Sequence, residues 1–376
     1  MKENPFIIKG YKSEKFFCDR FAETQDLLSN VANGVDTTLI SPRKYGKTGL
    51  ILHLFDQIRK KSLPYYTLYV DIYSTLSLED FVKELSSSIL ETFPEKSSAG
   101  KKFLNFLKSL RPVFSYDGLS GSPQVSFAYS SDNDKVSTLK DLLNYLNAQN
   151  KPIVLAIDEF QQIAQYPEKN MEALLRTIIQ NLHNIIFIYC GSKRRLMSEM
   201  FHSPNRPFFS STSTLSIDKI DRDNYFGFIK EKFKENGLSI SSEAIDFVLD
   251  WTKLHTFYTQ CLCNHLFRRQ KDITIDDVKA SCREILNGES ANYAQFREFL
   301  TPQQWKMLIA IAKEETLTQP TSARFLSKYN LGGATNARRM LDTLVEKELV
   351  LKETTKDRTS YRVYDVFLLR YLALEY

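Results

Sequence analysis

The chain has 376 residues, 43% hydrophobic and 25% charged, and no apolar run approaches the roughly 18 residues that cross a bilayer, so a membrane-spanning helical protein is excluded. A net charge of +5 neither demands nor forbids a nucleic-acid partner, and five scattered cysteines without a repeated CxxC argue against a disulfide framework. Two or three modules are expected at this length, and because the first residues carry no export-signal pattern, the expected address is cytoplasmic, with no membrane contact.

Through the first half, apolar strands alternate with amphipathic helices, which predicts a parallel sheet covered on both faces. Segment 37–40 reads as a strand feeding a helix over 47–58; strand 66–72, helix 77–90, the unbroken apolar strand 153–158 and a fourth strand at 185–189 follow. Between about 91 and 135 the pattern breaks, with Ser115, Gly118, Gly121 and Pro123 near its centre, and an irregular insertion or long surface loop is expected. From about 218 helices take over, at 222–236, 241–253, 257–270 and 275–286. Cys261, Cys263 and His265 fall in the third of these, where helical geometry turns Cys263 off the face shared by the other two and argues against a metal. Helices at 302–313, 321–329 and 335–347 then precede a hairpin of 350–352 and 360–364, the outline of a winged helix. The expected fold class is α/β, with a parallel-sheet core over 1–217, an all-α domain over 218–290 and a winged-helix domain over 291–376.

The loop after the first strand carries the chemistry. Ser41-Pro42-Arg43-Lys44-Tyr45-Gly46-Lys47-Thr48-Gly49 meets the phosphate-loop pattern G-x-x-x-x-G-K-[ST] except at its first position, where Ser41 replaces glycine. Between a strand and a helix, backbone N–H groups of such a loop face phosphate oxygens. Gly46 would let the backbone approach the phosphates, Lys47 would reach the β- and γ-phosphates, and the Thr48 hydroxyl would be a ligand of Mg²⁺. A Gly-Lys-Thr tripeptide recurs by chance, so the second element carries the weight: an apolar strand ending in Asp158-Glu159. Asp158 is expected to hold Mg²⁺ and Glu159 to take the proton of the attacking water, the plainer alternative being a buried strand that ends in two surface acids. Ser192, after the fourth strand, is the candidate for orienting that water, with a turn serine as the alternative. Arg206 and Arg176 are candidates for an arginine, supplied by a neighbouring subunit, that stabilises charge on the transferred phosphoryl group; otherwise each is a solvated or ion-paired arginine.

With these motifs in hand, the chain resembles the AAA+ P-loop ATPases of the archaeal-type and STAND-related branch over nearly its whole length. The likeness rests on Phe17-Cys18-Asp19-Arg20-Phe21-Ala22-Glu23, on Pro42 to Thr48, on Tyr69-Val70-Asp71, on Asp158-Glu159-Phe160-Gln161, on Gly191-Ser192 and on Arg206-Pro207-Phe208. The resemblance implies that Arg20 lies near the adenine, that the all-α domain is a lid over the nucleotide, and that His255, in the lid's G-H-P-like position, approaches it. It also implies a closing Y-x-x-x-D-x-F-x-x-x-Y pattern, matched by Tyr361, Asp365, Phe367 and Tyr371.

Two functions are in view. In the first, ATP and Mg²⁺ bind the core, and hydrolysis to ADP resets the arrangement of core, lid and winged helix, with a protein client and a homo-oligomer as expected partners. In the second, the protein is an ATP-responsive DNA-binding regulator with little hydrolysis, in which Arg338 and Arg339 on the third winged-helix helix, with Lys352, Lys356 and Arg358 on the wing, contact phosphates. Glu346, Glu348, Glu353 and Asp357 dilute that patch, and protein docking on the same module is the competing use.

Overall fold

A computed structural model describes residues 3–93, 98–108, 110, 112–116, 123–355 and 358–376. Two compact units emerge: one is Lys9–Lys219, and the other is Ile220–Tyr376 together with the described residues up to Ile8.

In the first unit, in chain order, α1 is Phe21–Ala32, β1 Thr37–Ile40, α2 Lys47–Lys60, β2 Tyr66–Asp71, α3 Leu78–Thr92, α4 Ser98–Lys108, β3 Pro112–Tyr116 and β4 Pro123–Phe127. There follow α5 Asp132–Asn147, β5 Ile153–Asp158, a 3-10 turn Phe160–Gln165, α6 Met171–Ile179, β6 Ile185–Gly191, α7 Arg194–His202 and β7 Ser213–Ser216. The main sheet runs β2-β5-β6-β1-β7, every pair parallel. Strands β5 and β6 are buried throughout, which is why they read as unbroken apolar runs. The two-residue period of a strand splits β5 between two cores. Ile153, Leu155 and Ile157 pack with α3, α5 and α6 on one face, while Val154 and Ala156 pack with α1 and α2 on the other.

Strand β7 escapes the sequence pattern because it is a short edge strand with alternating half-buried and exposed positions and two serines, so no apolar run announces it. The stretch expected to be irregular is ordered where it is described: α4 and the antiparallel hairpin β3–β4 pack Phe103, Leu107, Val125 and Phe127 into the core of the α3 face. Phe103 and Leu107 sit four apart on one face of a short helix, a signal too brief to stand out among lysines and serines. The centre of that stretch, including Gly118 and Gly121, lies outside the described residues.

In the second unit, α8 is Arg222–Glu235, α9 Ser242–Trp251, α10 Thr256–Phe267, α11 Ile275–Gln295, α12 Pro302–Glu314, α13 Ala323–Tyr329 and α14 Ala334–Glu346; β8 Val350–Thr354, β9 Thr359–Val363 and α15 Val366–Glu375 complete it. The starts are chemically marked: Asp221, Ser241, Thr274, Thr301 and Asp365 each accept backbone N–H bonds at a helix N-terminus. Strands β8 and β9 form the hairpin, with Lys352 opposite Tyr361 and Glu353 opposite Ser360. The wing charges Lys356 and Asp357 lie outside the described residues. Asp365 also faces Tyr258 on α10, and burial, with the Asp365 charge beside it, pushes the Tyr258 phenol far above its ordinary value.

The N-terminal segment joins this helical unit through one aromatic anchor. Phe6 is 1% exposed, with its ring 5.5 Å from Phe233, 6.1 Å from Phe228 and 6.2 Å from Phe267. Asn264 Nδ2 donates to the Phe6 carbonyl at 2.7 Å, and Asn4 Nδ2 donates to the Asn264 carbonyl at 3.0 Å. Removing the ring leaves a cavity the helices cannot fill, so Phe6→Ala is expected to destabilise the helical unit by about 3–5 kcal/mol, read as a fall in its urea unfolding midpoint.

Candidate nucleotide site

The site forms at the carboxyl ends of β1, β5 and β6, where parallel α/β sheets open a crevice. Strand β6 lies between β1 and β5, so Gly191 and Ser192 at its tip come between the loop after β1 and the acids after β5. Side-chain parity then selects who meets whom. Asp158 continues the Val154–Ala156 face of β5, and Tyr69 is in register with Ala156, so both project to the side covered by α2.

The loop itself is held from within. Lys44 and Gly46 take left-handed conformations, φ 65° and 96°, and Gly46 caps α2. Ser41 does not need one: it is 1% exposed and its Oγ donates to the Pro42 carbonyl at 3.0 Å, so serine replaces the usual glycine without backbone strain. Lys47, 6% exposed, folds back over the loop, its Nζ donating to the carbonyls of Ser41 and Pro42 at 3.2 Å each. Burial pulls the Lys47 ammonium below its ordinary value, and the nearby Asp158 and Glu159 charges oppose that shift. Tyr45 is buried, Arg43 reaches Ser192 with Nε at 3.3 Å, Lys44 is exposed, and a Cβ on Gly49 would lie 3.5 Å from the Phe17 ring.

Residues far apart in sequence converge on the acids. Thr48 Oγ1 donates to Asp158 Oδ2 at 2.7 Å, and Tyr69 Oη donates to the same oxygen at 2.8 Å. The other oxygen, Oδ1, accepts the Glu159 N–H at 3.0 Å. Glu159 takes φ 56° and starts the 3-10 turn; its Oε2 accepts Ser192 Oγ at 2.7 Å and the Gln161 amide Nε2. Asp71, in register with Asp158, is raised by burial and by the Asp158 and Glu159 charges. Arg43, Ser192, Glu159, Asp158 and Thr48 are thus one hydrogen-bonded cluster, with the Lys47 ammonium near its acids and with Tyr69 and Gln161 as members to which sequence reading gives no role. Parity could have put Tyr69 on the right face, but only the β2–β5 register places its hydroxyl.

The other predicted residues have partners of their own. Arg20, 5% exposed, spends its guanidinium on the carbonyls of Asp218 at 2.6 Å and Tyr45 at 3.5 Å and on Glu23 at 2.8 Å, bracing the phosphate loop from behind. Arg206 pairs with Glu172 at the start of α6, in a polar cleft of about 400 Å³ with Glu168, Asn170 and Asn205. Arg176 is carried by α6 to the amino ends of the strands, where it lines a cleft with Asp36, Pro152 and His183, at the opposite end of the sheet from Lys47. His255 belongs to the helical unit, where it precedes α10 and packs 4.6 Å from the Tyr258 ring. Among the described residues no three His, Cys, Asp or Glu side chains gather as a metal site, and no helix is long and apolar enough to cross a membrane.

Residues 17–254 match the family described as an ATPase domain predominantly from Archaea, which is more than half of the chain. The chain belongs to this ATPase family. Residues 291–374 match a second family, a probable winged helix domain. No curated protein matches. Among solved structures, the Walker-type ATPase PABY2304 of Pyrococcus abyssi superposes with a TM-score of 0.67 at 17% identity, covering 98% of this chain and 100% of the other. The Orc2 protein of Aeropyrum pernix, solved in ADPNP and ADP complexes, gives 0.60 at 15% identity over 98% and 95%. At these identities the likeness concerns the fold: a P-loop core with helical and winged-helix parts. The ATPase domain binds and hydrolyses ATP.

In this ATPase the cleft at the amino ends of the strands has its own electrostatics. Asp36 Oδ1 accepts the Phe187 N–H at 2.8 Å, and burial raises its carboxyl to about 6 despite that bond and the Arg176 charge. An unfolded aspartate titrates near ~3.9. The folded state therefore binds this proton more tightly; the contribution of Asp36 to stability is fully present below about pH 4 and is lost as pH rises through about 6. Asp36→Asn keeps an acceptor for Phe187 and is expected to stabilise the first unit by about 2 kcal/mol at pH 7.5 and by nothing at pH 4, measured by urea unfolding at the two pH values.

Proposed function

We propose that the cluster around Thr48, Asp158 and Glu159 hydrolyses ATP in a Mg²⁺-dependent reaction, and that nucleotide occupancy switches the arrangement of core, lid and winged helix. The observation that carries this reading is the single hydrogen-bonded cluster joining the phosphate-loop hydroxyl to the strand-end acids across 110 residues of sequence. Thr48 Oγ1 and Asp158 Oδ2, 2.7 Å apart, are the hard oxygen donors that suit Mg²⁺, which needs few protein ligands when phosphates and water supply the rest. When bound, the ion would neutralise charge on the phosphate oxygens.

Lys47 exchanges its two loop carbonyls for phosphate oxygens, a trade that favours the fully charged ammonium and relieves its burial. Glu159, with Oε2 occupied by Ser192 and Gln161, presents its other oxygen to the attacking water and takes its proton. Ser192 acts through Glu159. Arg206 serves a second copy of the chain, Glu172 holding it on this one. ATP drives the switch only by binding one arrangement more tightly than the other. Lys47→Ala is expected to abolish nucleotide binding, whereas Glu159→Gln retains binding and loses at least about 100-fold in kcat, measured by fluorescent-nucleotide titration and phosphate release. Unchanged phosphate release by Glu159→Gln would refute Glu159 as the base that activates the attacking water.

A second reading, DNA binding by the winged helix, is favoured by one feature. Arg338 of α14 and Lys352 of β8 line a cleft of about 470 Å³ with Thr318, Thr321, Ser322 and Thr359; no carboxylate lines it among the described residues, although Asp342 pairs with Arg338 at 3.4 Å. Glu353, which seemed to dilute the patch, alternates to the other face of the hairpin and pairs with Arg362 at 2.8 Å. Arg338→Ala with Lys352→Ala is expected to weaken duplex binding at low salt and to reduce the slope of log affinity against log salt by about two, measured by fluorescence anisotropy; affinity that ignores salt would exclude phosphate contacts.

A further inference from the structure

The Gln161 side chain is 2% exposed and sits two residues after Glu159, yet it turns back to donate its amide Nε2 to Glu159 Oε2. The orientation is dictated by charge, since the reverse would set the amide oxygen against a carboxylate. Ser192 donates to the same oxygen at 2.7 Å, while Glu159 Oε1 accepts no hydrogen bond among the described residues. The carboxylate is therefore pinned by one oxygen and open at the other. Its backbone is already in the left-handed region at φ 56°, which a non-glycine residue holds only when its surroundings enforce it.

The pocket for this amide exists because residue 191 has no side chain. A Cβ on Gly191 would fall well inside contact distance of Gln161 Oε1 and of Met197 Cγ and Sδ. Meanwhile Gln161 Oε1 is buried without a hydrogen-bond partner among the described residues, a cost that an apolar side chain of similar size would not carry. An amide kept here at that cost, with one donor spent on Glu159, is placed for the carboxylate.

We infer that Gln161 is a positioning residue for hydrolysis, aiming the free oxygen of Glu159, and that Gly191 is the space it requires. This rests on Glu159 being the base. Gln161 acts through Glu159; it fixes the geometry in which proton transfer occurs, and misplacement of a base by a fraction of an ångström lowers the rate of the chemical step while leaving binding alone.

The test measures kcat, KM, ATP affinity and the unfolding midpoint for the full chain and its Gln161→Leu, Glu159→Gln and Gly191→Ala variants. Gln161→Leu is expected to lower kcat about 10- to 100-fold with ATP affinity and KM within about two-fold of the parent and the unfolding midpoint unchanged or higher. In the Glu159→Gln background the same change is expected to have no further effect on kcat, because there is no base left to aim. Gly191→Ala is expected to repeat the kcat loss, and adding Gln161→Leu to it to deepen that loss less than multiplicatively. Wild-type kcat for Gln161→Leu beside an inactive Glu159→Gln overturns the positioning role and spares the base; a parallel fall in affinity and unfolding midpoint also overturns it, as mere structural damage. Full activity of Glu159→Gln overturns the base itself.

Discussion

One carboxylate oxygen organises the core unit. Asp158 Oδ2 accepts from Thr48 at the start of α2 and from Tyr69 on β2, so a helix and a neighbouring strand are tied at the tip of β5. The tie depends on strand order: with β6 between β5 and β1, the loop that follows β1 and the acids that end β5 flank a single crevice, and Ser192 stands between them. Buried hydrogen bonds to a charged group are stronger than neutral ones, and an unpaired partner in such a place is costly, so these residues specify one another's positions.

Charge balance follows from the same geometry. Lys47 is buried with the carbonyls of Ser41 and Pro42 as its hydrogen-bond partners among the described residues, and the acids nearby offset part of what burial costs it. Asp71, Asp158 and Glu159 crowd three carboxylates at adjacent strand ends, and burial and mutual repulsion raise Asp71. The hydrogen bonds that Asp158 and Glu159 accept offset part of that repulsion. Arg20, by contrast, is held by the protein: its bonds to the carbonyls of Asp218 and Tyr45 brace the phosphate loop.

The helical unit rests on other physics. Most of its helices begin at side-chain caps, and its packing is aromatic, with Phe6 among Phe228, Phe233 and Phe267 and with Tyr258 packed 4.7 Å from the Phe367 ring. Asp365 both caps α15, accepting from Phe367 and Leu368 N–H at 2.9 and 3.0 Å, and faces Tyr258, so the hairpin's end, the last helix and α10 share one polar anchor within an apolar core. The spaced aromatic and acidic residues near the C-terminus are in this sense a packing device.

What the sequence determined is everything that depends on neighbours along the chain. Apolar runs bounded by turns made β1, β2, β5 and β6 legible, the Gly-Lys-Thr turn and the Asp-Glu strand end marked the site, and three helices before a hairpin marked the winged helix, because periodicity and special backbone angles are local properties. Pairing of distant residues is not local. Only the tertiary structure decided that Tyr69 meets Asp158, that Gln161 bends back to Glu159 through the space left by Gly191, that Arg176 ends on the far side of the sheet, and that Phe6 packs with helices more than two hundred residues away. Strand order, register and the parity of facing side chains fix those meetings, and no stretch of sequence carries them by itself.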